Sequence, residues 1–200
     1  MRSLLLPLLA LVLSTGASFP PRQTTTQRLP SRTESARSYD GNWWSTAGSD
    51  ERSGFLDGSA DCLVSVARAP WLSRSLDDLD KRIDQYYKER PNDRPMLVTA
   101  VWRKILALAP LDRPRSGGEK WTNPHGYYDG VWWHQISESE RLGFLEGYIG
   151  CISRDVKQPP EEYSRSASYY DDTIWSYLDA HPKAMNEAIA DILSRYRDQR

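Results

Sequence analysis

Residues 140–151 read ERLGFLEGYIGC, and residues 51–62 read ERSGFLDGSADC. The same spacing of 89 positions relates YDGVWW at 128–133 to YDGNWW at 39–44. In the alignment of 24 positions that joins these motifs, 12 are identical and no gap is needed. Chance does not produce such identity in segments that together hold four tryptophans, so the sequence predicts a tandem duplication.

Each repeated segment carries a row of small residues, Gly-x-x-x-Gly-x-x-x-Cys, on one stripe of a predicted helix. A glycine inside a helix costs about 1 kcal/mol relative to alanine, so we expect a close backbone approach to require it. The two helices are expected to cross along these rows about a pseudo-two-fold axis. In the alternative, each row is the floor of a groove that the Trp-Trp pair of its own unit fills. The rows are Gly54, Gly58 and Cys62 in the first copy and Gly143, Gly147 and Cys151 in the second.

The two cysteines of the chain, Cys62 and Cys151, occupy the same position of the repeat. Symmetric positions beside a pseudo-two-fold axis can come within the roughly 7 Å between Cα atoms that a disulfide spans. In an exported chain we expect this pair to be oxidised, and the alternative is two buried free thiols. Two thiols without a nearby histidine do not predict a metal site, and no cofactor is expected.

Apolar residues at helical spacing continue in both copies beyond the motif helix. They predict helices over 75–90 and from Pro95 in the first copy, with counterparts over 168–180 and 183–196 in the second. Strand signals are nearly absent. A unit of about 70 residues barely closes a core alone, so we expect an all-α protein of two three-helix units packed as one six-helix body.

The N-terminal residues have the composition of an export signal. Arg2 precedes an apolar run and a stretch of small residues, which predicts a signal peptide over 1–17, with an uncleaved membrane anchor as the alternative. Residues 18–38 show no apolar periodicity and predict a disordered tether. The mature protein is therefore expected to be periplasmic or extracellular, without stable membrane insertion.

The rest of the chain divides into a first helical repeat over 39–109, a connector rich in Pro and Gly over 110–126, and a second helical repeat over 127–200. The full chain has 26 basic and 27 acidic residues. Residues 1–38 hold five Arg and one Glu, which leaves 21 basic and 26 acidic residues, a net charge of -5, in residues 39–200. Such a balance excludes nucleic acid as an expected partner.

Asp57 and Glu146 occupy equivalent positions beside the glycine rows. If a row faces solvent, these carboxylates frame a shallow binding site; if the rows cross, they lie at the rim of the crossing. The tryptophan pairs are further candidates for binding, as platforms that stack on sugars, although rings just before a helix more often pack on it as core. These pairs are Trp43 with Trp44 and Trp132 with Trp133.

No catalytic motif is recognisable: the chain has no G-x-S-x-G, no H-E-x-x-H and no Gly-rich phosphate loop. A carboxylate pair such as Asp57 with Glu146 is the arrangement that glycoside hydrolases use, so a cell-wall hydrolase is the third hypothesis for function. Glu140 follows a serine by three residues, which indicates a capping box rather than catalysis. Arg52 and Arg141 are expected to form ion pairs with acidic neighbours at the surface.

The signature Gly-Phe-Leu-x-Gly-x-x-x-Cys, at 54–62 and 143–151 of a small exported helical chain, resembles that of periplasmic immunity proteins of the type VI secretion amidase class. The resemblance implies a protein that binds and blocks a cell-wall amidase. The chain is also similar to small exported bacterial proteins that share the Trp-Trp and Gly-Phe-Leu elements. We therefore expect a non-catalytic binding module whose ligand is another protein, and the alternative is a binder of cell-wall glycan that uses the tryptophan pairs.

Overall fold

The computed structural model describes four segments of the chain, all of which belong to one compact unit over residues 38–200. Within these segments the regular secondary structure is helical, apart from two isolated bridges, so the predicted all-α class is confirmed. The predicted signal peptide, the predicted tether up to residue 37 and the whole predicted connector lie outside the described residues. The described segments are 38–65, 76–108, 127–155 and 163–197.

Eight α-helices carry the fold of the described segments, four in each half. In the first half they are α1 (Gly41–Thr46), α2 (Ser49–Ser65), α3 (Leu76–Glu89) and α4 (Val98–Leu108), with a 3-10 helix at Pro91–Asp93. In the second half they are α5 (Gly130–Gln135), α6 (Glu138–Asp155), α7 (Ala167–Ala180) and α8 (Ile189–Ser194), with a 3-10 helix at Pro182–Asn186. Each expected three-helix unit therefore has a short additional helix, because the Asp-Gly-x-Trp-Trp motif is itself helical.

The aspartate of the Asp-Gly-x-Trp-Trp motif starts the short helix of each half. The Asp40 carboxylate accepts hydrogen bonds from the backbone N–H groups of Asn42 and Trp43. Asp129 caps α5 in the same way, by accepting from the N–H of Trp132. A side-chain oxygen at this position satisfies N–H groups that have no partner within the helix, which is why so short a segment becomes helical.

The last helix of the first half begins three residues after the predicted start. Leu97 forms an antiparallel bridge with Asp40, and α4 then begins at Val98, because a residue in a bridge is extended. The second half repeats this bridge between Ala188 and Asp129. The two aspartates are 89 positions apart and their bridge partners are 91 apart. The second half therefore has two more residues than the first between the aspartate and its bridge partner.

Two separate hydrophobic clusters fill the unit, one in each half. The first cluster consists of residues of α1 to α4 and has the indole rings of Trp44 and Trp102 among its fully buried side chains. The second consists of residues from 128 onwards, with Cys62 as the one buried member that the first half contributes. Each half therefore has its own core, and α2 and α6 join them.

Helices α2 and α6 run parallel to each other, with their backbones in contact along the glycine rows. A Cβ atom on Gly54 would overlap the carbonyl oxygen of Glu140, and one on Gly143 would overlap that of Glu51. A backbone atom cannot rotate away as a side chain can, so the approach requires glycine. One turn further along, the same reciprocal overlap relates Gly58 to Phe144 and Gly147 to Phe55.

Parallel packing places the N-termini of α2 and α6 at the same end, where their helix dipoles repel each other. Acidic side chains in both first turns oppose this repulsion, since negative charge is favourable at a helix N-terminus. Ser137 also donates a hydrogen bond of 2.8 Å from its hydroxyl to the carboxylate of Asp50 in the other half. The acidic residues of the two first turns are Asp50, Glu51, Glu138 and Glu140.

Candidate functional site

A disulfide at the end of the glycine rows joins the two halves. The Sγ atoms of Cys62 and Cys151 are 2.10 Å apart and their Cα atoms are 6.1 Å apart. Both cysteines are buried, so the predicted pairing is confirmed. Among the described residues, no group of three or more His, Cys, Asp or Glu side chains is placed to hold a metal ion.

The carboxyl group of Asp57 lies at the edge of the crossing and is bonded to the other half. Tyr128 donates its hydroxyl hydrogen to Asp57 Oδ1 over 2.7 Å. Burial raises the pKa of Asp57 from 3.8 to about 7; the hydrogen bond from Tyr128 opposes this, and the nearby charges of Glu140 and Asp77 add to it. Asp57 is therefore largely enclosed, and its carboxyl links the halves. The repeat pattern does not show which half a tyrosine contacts, so this bond between the halves could not be predicted from it.

Glu146 occupies the equivalent position in α6 and is half-buried, with its Oε2 atom shielded from solvent. The other repeated glutamates lie at the helix starts. The carboxylate of Glu51 accepts a hydrogen bond of 3.3 Å from the indole N–H of Trp43. The backbone N–H of Glu140 donates to the Ser137 hydroxyl over 3.2 Å, which is the serine half of the predicted capping box. Glu51 therefore contacts the core through its side chain, and Glu140 takes part in a helix cap through its backbone.

The tryptophan pairs pack against the helices that follow them. Trp44 and Trp133 are fully buried and Trp43 is nearly so, whereas Trp132 is partly exposed. The ring centroid of Trp43 lies 5.0 Å from that of Phe55, within the first-half cluster. A sugar stacks on an exposed ring face, and three of the four rings offer none.

Arg52 and Arg141 each connect the helix that carries a glycine row to the helix that follows it. Arg141 binds both carboxylate oxygens of Asp171, at 2.7 and 3.3 Å, and so joins α6 to α7. Arg52 binds Asp80 at 3.0 Å and joins α2 to α3. The expectation of surface pairs is wrong for Arg141, whose side chain is 10% exposed. Its guanidinium is covered because it stacks on Trp175, 4.7 Å from the ring centroid.

The second half has an aromatic stack at positions where the first half has polar residues. The ring of His134 lies 4.2 Å from that of Trp175, with 34° between their planes, and Arg141 contacts the same indole. The equivalent positions of the first half hold Ser45 and Asp84. His134 has no repeat partner, so the repeated motifs do not point to it. A search for differences between the halves would have found the stack.

Exposed apolar side chains are also confined to the second half of the described chain. Three large residues of this kind are 40% to 62% exposed. Their equivalents in the first half are Ser38, Asn42 and Asp78, which are polar. The described second half therefore has a more apolar surface than the first at these positions. The three residues are Tyr127, Val131 and Tyr169.

Comparison of the chain with protein-family models, with curated proteins and with solved structures gives no match. Within the described residues, no helix combines the length and the apolar character that crossing a membrane requires. The function has to follow from the geometry of the chain's own residues.

Proposed function

We propose that this chain is an exported, non-catalytic helical module that binds another protein, with an inhibitory or immunity-like role toward a cell-wall enzyme. The observation that carries the proposal is the distribution of the polar, aromatic and apolar side chains between the interior and the surface. The repeated polar and aromatic residues are engaged in the cores, the caps and the crossing, whereas the exposed large apolar residues of the described segments all belong to one half. Such a distribution suits a rigid scaffold that binds a partner through an apolar surface better than it suits an open reaction site.

We propose further that the module arose by tandem duplication of one helical unit, now packed as a single body. The two halves make equivalent backbone contacts, which supports this origin. The N–H of Val98 donates to the carbonyl of Tyr39 over 2.8 Å, and the N–H of Ile189 donates to that of Tyr128 over 2.7 Å. The reciprocal glycine contacts of α2 and α6 fit the same two-fold relation.

Export is supported by the bonded cysteine pair together with the signal-like N-terminal sequence. Disulfides persist in oxidising compartments and are rare where thiols are kept reduced. We place the mature protein in the periplasm or outside the cell.

The glycan-binding alternative has less support, because a platform needs exposed rings and Trp44 and Trp133 are fully buried. A cell-wall hydrolase would need a carboxyl open to its substrate, whereas that of Asp57 is enclosed and bonded to Tyr128.

Affinity capture from an envelope extract with the mature, disulfide-bonded chain tests the proposal. We expect one protein to co-purify and then to form a complex of fixed stoichiometry with the purified chain on size-exclusion chromatography. The control bait is the same chain after reduction and alkylation in denaturant, which keeps the sequence and loses the fold. Saturable changes in tryptophan fluorescence with soluble cell-wall glycans, without capture of a protein, would replace this proposal by the glycan-binding alternative.

A further inference from the structure

We infer that the outer face of α5 and α7 is the surface that takes the partner, and that it binds a basic, partly apolar segment of that protein. This α5–α7 face is defined by Val131 and His134 on α5 and by Trp175 on α7. The inference rests on the proposed protein-binding function and adds to it a location and a chemical class of ligand.

The two halves differ at the α5–α7 face. Within one chain the first half is a natural reference for the second, because the two share helix starts, glycine contacts and core positions. At the α5–α7 face the second half has an aliphatic residue and two rings where the first half has small or polar side chains. The corresponding residues are Asn42 and Val131, Ser45 and His134, and Asp84 and Trp175.

The α5–α7 face is contiguous and is already ordered without a partner. Val131 and His134 are one turn apart on α5, and the His134 ring stacks on Trp175 at 4.2 Å. A Cβ on Gly130 would collide with Leu178, so the start of α5 lies directly on α7. Side chains that are fixed before binding lose little conformational entropy in a complex, which favours affinity.

The support behind Trp175 comes from the ion pair between Arg141 and Asp171. The guanidinium lies 4.7 Å from the indole centroid and is held by both oxygens of the carboxylate. Because Asp171 neutralises Arg141, this buried cation does not make the face basic.

The charge of the α5–α7 face selects the partner. Helices α5 and α7 contain three aspartates and no Lys or Arg. Asp171 is engaged by Arg141, while Asp172 and Asp179 are exposed. They stand three residues before and four residues after Trp175, so they flank the indole on the same side of the helix. Apolar contacts bordered by carboxylates are complementary to a segment with Lys or Arg beside an apolar residue. The same carboxylates repel phosphate-bearing surfaces.

The test uses the full mature chain and two short fluorescent peptides that share their apolar residues, one with Lys and the other with Glu at the remaining positions. Fluorescence anisotropy at low salt should show the Lys peptide binding about tenfold or more tightly than the Glu peptide, and about 0.5 M salt should remove most of this preference. Equal affinities for the two peptides would overturn the inference.

The halves supply matched variants. Val131→Asn with His134→Ser gives the second half the first-half residues and should weaken Lys-peptide binding about tenfold, whereas Ser45→Ala, at the exposed first-half position that corresponds to His134, should leave it unchanged. Asp172→Lys with Asp179→Lys should reverse the preference to the Glu peptide. Unchanged Lys-peptide binding in the first double variant would refute the assignment, provided that its urea midpoint stays close to that of the native chain.

Capture from the envelope extract separates this inference from the proposal beneath it. If the native chain and Val131→Asn/His134→Ser capture the same protein equally well, protein binding stands and the α5–α7 face is wrong. If the native chain captures no protein, the proposed function itself is wrong. Loss of capture in the double variant, with retention in Ser45→Ala, supports both.

Discussion

Tyr128 donates its hydroxyl hydrogen to Oδ1 of Asp57 over 2.7 Å, so a residue of the second half holds the enclosed carboxyl of the first. The bond lies beside the crossing of α2 and α6, where the carboxylates of Glu140 and Asp77 add negative charge. In such surroundings the neutral carboxyl is favoured over the carboxylate, and proton binding by Asp57 contributes to folding.

The stability of the fold should therefore fall as the pH rises from about 4 to about 7. The unfolded chain loses the Asp57 proton near its ordinary pKa of 3.8, whereas the folded chain keeps it up to a pKa of about 7. A difference of about three pKa units corresponds to at most about 4 kcal/mol, lost over this range and constant above it. Urea denaturation of the native chain and of Asp57→Asn at several pH values measures the effect. Asparagine retains a side-chain oxygen for the Tyr128 hydroxyl but does not titrate. The stability of Asp57→Asn relative to that of the native chain should therefore increase with pH.

Asp77→Asn is the matched control, because Asp77 is exposed and affects Asp57 only through its charge. It should change the pH dependence by a small fraction of the Asp57→Asn effect. If Asp57→Asn and the native chain lose stability in parallel between pH 4 and 7, the enclosed carboxyl does not control this dependence.

The two Arg–Asp pairs provide an internal comparison of buried and half-exposed ion pairs. Asp171→Ala leaves the guanidinium of Arg141 buried without its carboxylate, which typically costs 3 to 5 kcal/mol, about ten times the cost of losing a weak surface pair. Asp80→Ala removes the equivalent partner of Arg52, but these side chains are 22% and 28% exposed, so about 1 kcal/mol or less is expected. Free energies of unfolding from urea titrations decide the comparison, and equal losses would contradict the assignment of Arg141 as the buried member.

Repetition made the interior of this fold predictable. The glycine rows and the paired cysteines could be located because chance does not place rare residues twice at one spacing, and a helix keeps interior glycine only where a close approach requires it. The all-α class followed from apolar residues at helical spacing. The start of α4 could not be predicted, because Leu97 is held extended by a bridge to Asp40, more than fifty residues away.

The α5–α7 face was not predictable from the repeats either, because it too depends on a contact between residues far apart in the sequence. His134 and Trp175 belong to different helices and have no counterpart in the first half, so neither periodicity nor repeat identity singles them out. Their stacking depends on how α5 lies across α7. The signal that was present is the loss of identity at surface positions of an otherwise repeated chain.

The disulfide between Cys62 and Cys151 should stabilise the fold by about 4 to 5 kcal/mol in the chain-entropy model, because it closes a loop with a sequence separation of 89 residues. Reduction should lower the urea midpoint of the native chain and leave that of Cys62→Ser/Cys151→Ser unchanged. Both sulfur atoms belong to the disulfide, so alkylation of the oxidised protein without reduction should label neither cysteine, before or after unfolding. Two labelled thiols per chain, found by mass spectrometry without reduction, would contradict the bonded state.

The glycine contacts give the most direct test of the crossing between α2 and α6. A Cβ on Gly58 or Gly147 would overlap the carbonyl oxygen of Phe144 or Phe55, and neither backbone can move without shifting a whole helix. Gly58→Ala and Gly147→Ala should each destabilise the protein by about 1 to 3 kcal/mol or more, because overpacking outweighs the gain in helix propensity. The double variant should lose less than the sum, since both substitutions force apart the same pair of helices.

Gly150→Ala is the control within the same helix. Its Cβ would meet only the end of the Arg154 side chain, at 2.7 Å from Nη2, and a flexible guanidinium can move aside. Without a backbone obstacle the higher helix propensity of alanine should prevail and stabilise the protein by up to about 1 kcal/mol. Urea denaturation of the four variants then gives opposite signs at positions of one helix, Gly147 and Gly150, that are less than a turn apart. Stabilisation by Gly58→Ala or Gly147→Ala would mean that the rows are open to solvent, and the binding site would then have to be sought along them, with Asp57 and Glu146 at its rim.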